Sequence, residues 1–429
     1  MPERRVSVDY MARVEGETSL TVDIDDGQVT DVKLSIFEPP RFFEAFLQGR
    51  EYTEVPDITA RICGICPVAY QMSSVHAMEQ ILDISLTPEI REMRRLLYCG
   101  EWIESHVLHA FMLHAPDFLG YPSAIEMAAD HRDLVELVLR VKKTGNELVT
   151  AVGGREIHPI NVRVGGFYSM PKSESLKALL PALKQGAAEM RAALDVLSGL
   201  DIPEFEREYQ FISLHHPDEY PFNEGRIISN KGLDIEVAQF PDHFQEFHVE
   251  HSNALHGRMR DNSIYKVGPL ARFNNSFEQL PDSIKQLAAK YGVEPPVLNP
   301  FKSIIIRVLE TVYALEEAIR IIDGYKRSKI SFVDAEIKAG VGHGCTEAPR
   351  GILYHRYEID DAGLVTSATI VPPTAQNQPM IEDDLRLMVP GMLDLNDEEL
   401  DIRCEQAVRN YDPCISCATH FLDVTINRK

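Results

Sequence analysis

Cysteine is scarce and odd in number, seven residues in a chain of 429, and tryptophan occurs once. So few cysteines exclude a disulfide-stapled secreted scaffold and fit a reducing cytoplasm, the compartment expected here. No run of about 18 apolar residues is present, which excludes a spanning helix. The opening stretch, MPERRVSVDYMARVEG, has no apolar core ahead of a small-residue cleavage site, so a Sec signal peptide is not expected. Positive charge is the scarcer sign: 43 Lys and Arg stand against 66 Asp and Glu, a formal net charge of -23. That balance repels nucleic acid and anionic membrane surfaces, and neither is an expected partner. Gly/Ser linkers, low-complexity tracts, internal repeats and a glycine-rich dinucleotide fingerprint are all missing. What is present is ordinary for a globular protein, with 44% hydrophobic and 25% charged residues.

Hydrophobic periodicity divides the chain into strands at both ends and long helices between them. Thr18 to Ile24 and Val29 to Ile36 alternate around Asp26-Gly27, a hairpin turn pair. Leu47 to Gln80 shows few clear periods. A helix is expected from Thr87-Pro88-Glu89, with Thr as N-cap and Pro in the first turn, to about His114. Others are expected over about Ala128 to Val152, Ser173 to Leu200 with Pro181 early or at a bend, and Ser303 to Ile322. The segment from Leu200 to Pro300 reads as irregular. Ile352 to Ile359 and Leu364 to Val371 read as strands, and a last helix lies near Asn396 to Tyr411. The expected fold is mainly α with small β regions, an α+β long-helix bundle in one domain over 1–429. Within it, strands and the first cysteine pair occupy about 1–80, the helical bundle about 87–325, and strands with the second cysteine pair about 340–420.

Four of the cysteines form two Cys-x-x-Cys pairs. Cys63 and Cys66 lie in Arg61-Ile-Cys-Gly-Ile-Cys-Pro67, and Cys414 and Cys417 in Asp412-Pro-Cys-Ile-Ser-Cys-Ala-Thr-His420. Each short loop aims two sulfurs the same way, so two facing loops offer four thiolates to one soft or borderline metal. Zinc modules usually place such pairs within a few tens of residues, whereas almost the whole chain separates these two. Structural zinc, a redox or catalytic metal and an iron–sulfur cluster all satisfy the spacing. Cys99, Cys345 and Cys404 have no close partner in sequence and read as small buried apolar residues. His106, His109 and His114 are neighbours on one helix and read as core histidines, and His158 as structural.

At this point the residues become specific. The two cysteine motifs resemble the signature segments of nickel–iron hydrogenase large subunits. Further segments agree in order along the chain: Arg13-Val-Glu15-Gly16, Phe43-Glu44-Ala-Phe-Leu-Gln-Gly49-Arg50, Gly154-Arg-Glu-Ile-His158-Pro159, Gly165-Gly166 and Glu347-Ala-Pro349-Arg350-Gly351.

The resemblance implies a catalytic subunit that splits dihydrogen reversibly into protons and electrons. It implies that Cys63, Cys66, Cys414 and Cys417 bind nickel, with Cys66 and Cys417 bridging to an iron that carries carbon monoxide and cyanide. Arg350 is implied as the basic group over the ligand site, Pro349 as lining of the cyanide pocket, and Glu15 as proton acceptor from Cys414. Glu44 and His420 are implied magnesium ligands, and Asp412 is placed to fix Arg350 or the cysteine loop through hydrogen bonds. With Cys99, Cys345 and Cys404 read as buried apolar residues, no cysteine set is left for electron-relay clusters. The implied partners are therefore an iron–sulfur small subunit and, beyond it, diaphorase subunits with flavin and NAD(P). A maturation chaperone and a C-terminal protease are implied as well, the latter cutting after His420 to remove 421–429. Two positions depart from many members: Tyr70 stands where they carry histidine four residues after the second cysteine, and Ser105, beside Glu104, where they carry aspartate. Pro67-Val-Ala-Tyr70-Gln-Met-Ser-Ser74 is similar to the bidirectional members that exchange electrons with nicotinamide cofactors. A deazaflavin or a ferredoxin is the alternative acceptor, and the alternatives to the enzyme are a hydrogen sensor and a metal-free relative such as the quinone-proximal subunit of respiratory complex I. The four cysteines speak against the second.

Overall fold

The computed structural model describes residues 4–419. Strands β1 (Arg4–Val8), β2 (Thr18–Asp25) and β3 (Gln28–Ile36) form an antiparallel sheet in the order β1-β2-β3, and Asp26-Gly27 makes the β2–β3 turn. Thr18, Leu20, Val22 and Ile24 alternate inward along β2. That period of two sets the register, because a slip by one residue would turn this apolar set to solvent.

Helix α1 (Pro67–Ile81) fills the stretch in which the sequence shows no period. All its residues except His76 and Gln80 are buried. A helix covered on every side has no polar stripe, so it carries no 3.6-residue signal to read. Helix α2 (Pro88–Val107) starts as expected, with Thr87 Oγ1 accepting from the Ile90 N–H, and runs on into a π-helical segment, Leu108–His114. The helix expected from about Ala128 is instead two. Ser123 caps Ala124–Asp130, His131 leaves helical geometry, and α3 follows as Arg132–Gly153. The next is likewise split into Ser173–Lys177 and α4 (Leu180–Leu197), with Pro181 in the first turn, where its missing N–H costs nothing.

The segment expected to be irregular contains strands Ile212–His215, Arg226–Ser229 and Asp234–Ile235, the hairpin β4 (Phe244–Val249) and β5 (Ser252–Met259), and helices Pro269–Ser276 and Asp282–Lys290. Helix α5 (Ser303–Gly324) packs with α2 and α4, and α3 packs with α2. These four helices form the core of the bundle. Strands β6 (Gly340–Ala348), β7 (Gly351–Ile359) and β8 (Val365–Val371) make a second antiparallel sheet. Helix α6 (Pro373–Met388) lies against β3 and β5. Neither β6 nor α6 is legible in the sequence, β6 because of its glycines and α6 because Pro379 sits inside it. Helix α7 (Asp397–Arg409) carries a capping box between Asn396 and Glu399, and α8 (Ile415–Ala418) closes the described chain.

The glycines of β6 have a packing role. A Cβ on Gly344 would strike the Ser73 carbonyl oxygen of α1. The strand lies this close because Ser73 Oγ bonds Thr346 Oγ1 at 2.7 Å and donates to the Leu353 carbonyl at 3.0 Å. Gly344→Ala is expected to destabilise the protein by about 1–3 kcal/mol, the usual cost of overpacking a filled core. A thermal unfolding midpoint equal to the parent's would contradict this packing.

Candidate metal centre

The first cysteine loop follows a short 3-10 turn, Ala60–Ile62, and ends at the N-terminus of α1, with Cys66 as its cap residue. The second precedes α8, and Cys414 pairs with Glu15 in an isolated parallel bridge that carries it to the amino-terminal sheet. The loops face each other. Sγ of Cys63 lies 3.5 Å from that of Cys414, Cys66 lies 3.6 Å from Cys417, and Cys414 lies 2.9 Å from Cys417. All four side chains are buried. The backbone N–H groups of Ile65 and Cys66 point at Cys63 Sγ from 3.3 and 3.4 Å. The sulfurs do not share charge equally. Hydrogen bonds from Cys414 and Cys417 hold Cys63 well below the usual thiol range, while burial, then the neighbouring sulfurs, push Cys414 well above it. A buried set of this kind cannot ionise fully without a cation at its centre, and binding a soft divalent metal releases the remaining protons. The donor set fits a thiolate-ligated metal.

Glu15 is the acidic group at the cluster. Its Oε2 accepts from Cys414 Sγ at 3.1 Å and from the Ser416 N–H at 2.9 Å, and its Oε1 accepts from the Ser416 hydroxyl. Arg350, at the β6–β7 turn, donates from Nε to the Asp412 carbonyl at 2.7 Å and from Nη2 to Asp412 Oδ1 at 3.0 Å. Its Nη1 is buried without a hydrogen-bond partner. Burial alone would lower the Arg350 pKa, but Asp412 and the sulfurs of Cys414, Cys66 and Cys63 raise it well above the ordinary value. The turn depends on Gly351, whose φ of 134° no side-chain-bearing residue adopts easily, and which packs against Val267 and Gly268. The hydroxyl of Tyr70 is buried without a hydrogen-bond partner, and burial, then the charge of Cys417, raises its pKa well above the usual phenol.

A family model described as nickel-dependent hydrogenase matches residues 41–137 and 257–420. The chain belongs to the nickel-dependent hydrogenase family. It is 34% identical to sulfhydrogenase 1 subunit alpha of Pyrococcus furiosus, over 97% of this chain and 98% of that one. Identity to NAD-reducing hydrogenase HoxS subunit beta of Cupriavidus necator is 27%, over 98% and 95% of the two chains. Among solved structures, an NAD+-reducing [NiFe]-hydrogenase in the H2-reduced state superposes with a TM-score of 0.88 at 27% identity, covering 97% of this chain and 99% of that one. The protein is the catalytic large subunit of a nickel–iron hydrogenase, an oxidoreductase acting on dihydrogen, and the four cysteines are the cluster able to hold its metal centre.

Several residues that assemble this hydrogenase site carry no signal in the sequence. Arg41 donates from Nη2 to the carbonyls of both Ile62 and Ser416, one in each cysteine loop. Thr374 Oγ1 accepts from the Cys414 N–H at 3.0 Å, and Glu101 accepts from the N–H groups of Val68 and Ala69 at 2.6 and 3.1 Å, capping α1. Arg272 donates to the carbonyls of Ala348 and Pro349 at 2.8 and 3.1 Å, fixing the buried turn that presents Arg350. Pro349 is itself buried. His106, His109 and His114 are buried and form no metal-ligand group among the described residues. His109 bonds the Arg409 carbonyl at 2.8 Å, and half-buried His158 bonds that of Ala60 at 2.7 Å. Cys99, Cys345 and Cys404 are buried apart from the cluster. Glu44 Oε1 accepts from the Ile370 N–H at 2.7 Å and is not part of the cysteine group. His420 and the tail 421–429 lie outside the described residues.

Arg272 is compensated by two carboxylates. It donates to both oxygens of Glu310, at 3.0 and 2.8 Å, and to Glu347 Oε2 at 2.9 Å. Burial would raise the Glu310 pKa, but Arg272 and His106 together outweigh it and bring it down to about 2. A carboxylate depressed in the fold contributes stability above its unfolded pKa and loses it as pH falls through the folded one. Glu310→Gln is expected to cost about 3–5 kcal/mol at neutral pH, the penalty for unbalancing a buried pair. The parent's advantage should then shrink as pH falls from about 4.5 toward 2. Unfolding midpoints of parent and variant across that range check this. A constant gap would show that the Glu310 charge does not carry the effect.

Proposed function

We propose that the four cysteines hold a nickel–iron centre with carbon monoxide and cyanide on iron, and that the electrons it releases pass to an iron–sulfur small subunit and on to NAD(P) through diaphorase subunits. The single observation that carries the reading of the site is the buried four-sulfur cluster with a carboxylate 3.1 Å from one sulfur. When bound, the nickel–iron centre supplies the heterolytic splitting of dihydrogen into protons and two electrons. Cys414 is the sulfur in contact with a carboxylate, so it is the one assigned to take the first proton. Glu15 then receives that proton across the Cys414 Sγ contact and is held in place by Ser416. Arg350, anchored by Asp412, keeps its charge and turns the unpartnered Nη1 toward a ligand, and Pro349 lines the pocket beside it. Glu44, with His420, is assigned to a magnesium ion.

The NAD(P) acceptor is supported by the likeness to NAD-reducing relatives, and a deazaflavin or a ferredoxin is the alternative acceptor. No helix among the described residues is long and apolar enough to cross a membrane, which agrees with a cytoplasmic enzyme. A chaperone and a C-terminal protease acting after His420 complete the proposed set of partners.

Infrared spectra of the natively purified complex should show metal-bound carbon monoxide and cyanide bands that shift under dihydrogen. Their absence from protein lacking the 421–429 tail would overturn the assignment. NAD+ and NADP+ reduction by the same complex separates the two acceptor readings. Glu15→Gln should keep those bands and the nickel content while lowering turnover by about 10²–10⁴-fold, the usual share of a proton-transfer group. Turnover equal to the parent's would route the proton elsewhere.

A further inference from the structure

A second group of metal-ligand side chains lies outside the cysteine centre. His251, in the β4–β5 turn, His256 on β5 and Glu382 on α6 bring one ligand atom each to within 4.8 Å of one another. In a regular strand continued back to His251, a separation of five residues would place the two histidines on opposite faces. The β4–β5 pairing instead shifts register between Ser252 and His256. A bulge of this kind re-aims side chains, and here the two imidazole centroids lie 5.6 Å apart.

One nitrogen of the cluster is left unsatisfied. His251 Nε2 lies 2.7 Å from Glu382 Oε1, which also accepts from the Leu34 N–H of β3 at 3.0 Å. His256 is 2% exposed, and its Nε2 is buried without any hydrogen-bond partner. A buried imidazole nitrogen with no protein partner, in a ring beside a second histidine and a carboxylate, is a donor that a metal can take.

We propose that His251, His256 and Glu382 form a second metal site, taking one divalent ion of the zinc class. Two imidazoles and one carboxylate favour zinc over magnesium or calcium, which prefer oxygen ligands alone. Tetrahedral ligands about 2.1 Å from zinc sit about 3.4 Å apart. The His251–Glu382 pair would therefore open slightly and His256 would close on it, with the half-buried side leaving a fourth position to water. The ion would tie the β4–β5 hairpin to α6 and β3. Those elements also support the second cysteine loop: Thr374 of α6 bonds Cys414, and Ala254 of β5 packs on Ile415 and Ala418. The role is structural, and it does not depend on the electron acceptor.

The test uses the untagged native complex, stripped of loosely held ions with a chelator and titrated with zinc sulfate. Zinc per large subunit is counted by plasma mass spectrometry and its ligands are read by X-ray absorption at the zinc edge. One zinc should bind with only nitrogen and oxygen at about 2.0–2.1 Å. His251→Ala, at a half-exposed position, and Glu382→Gln should each weaken binding by about 100-fold or more while hydrogenase activity persists. Failure to bind stoichiometric zinc, sulfur ligation at about 2.3 Å, or unchanged affinity in His251→Ala would each overturn the proposal.

Discussion

Four buried sulfurs, drawn from the two ends of the chain, must meet within a few ångströms. Cys66 and Cys417 are 351 positions apart in sequence and 3.6 Å apart in space, and much of the fold serves that convergence. The amino-terminal sheet brings Glu15 to Cys414, and α1 begins at Cys66. Arg41 holds one carbonyl of each cysteine loop with a single guanidinium nitrogen. The long helices supply the packed mass around which both ends close, and the burial they provide shifts the pKa values of the cluster.

Burial at that depth imposes a second requirement, which is charge compensation. A guanidinium or carboxylate removed from water is tolerated only when paired and hydrogen-bonded. Arg350 meets this through Asp412, and Arg272 through Glu310 and Glu347. The two are stacked in function as well, since Arg272 grips the carbonyls of Ala348 and Pro349 immediately before Arg350. A positive charge is thereby held beside the sulfurs by groups that do not themselves touch them. The unpartnered Nη1 of Arg350 is the one nitrogen of that guanidinium without a hydrogen bond, and it is the atom free to meet something that is not protein.

Elements whose physics lies in a local pattern are legible from the chain alone. The β2–β3 hairpin follows from alternation and Asp-Gly, the start of α2 from Thr87-Pro88, and the capped start of α7 from Asn396. Elements in which tertiary contact replaces the local signal are not legible. Helix α1 is buried on all sides and so has no stripe, β6 reads as a glycine loop, and α6 contains Pro379. The site shows the same division. The cysteine pairs, Glu15 and Arg350 stand out in motifs, whereas Arg41, Thr374, Glu101 and Arg272 act through backbone atoms distant in sequence and have no motif to betray them.

The sequence by itself determined the donor chemistry, two Cys-x-x-Cys loops with an acid and a guanidinium in family-like segments, because those are covalent facts at short spacing. Only the tertiary structure decided how the sulfurs face one another and which carboxylate meets which sulfur. It also decided which arginine is held by which acid, and that His251, His256 and Glu382 share one corner of the molecule. Those outcomes depend on which atoms are shut away from water together, and long-range packing alone settles that.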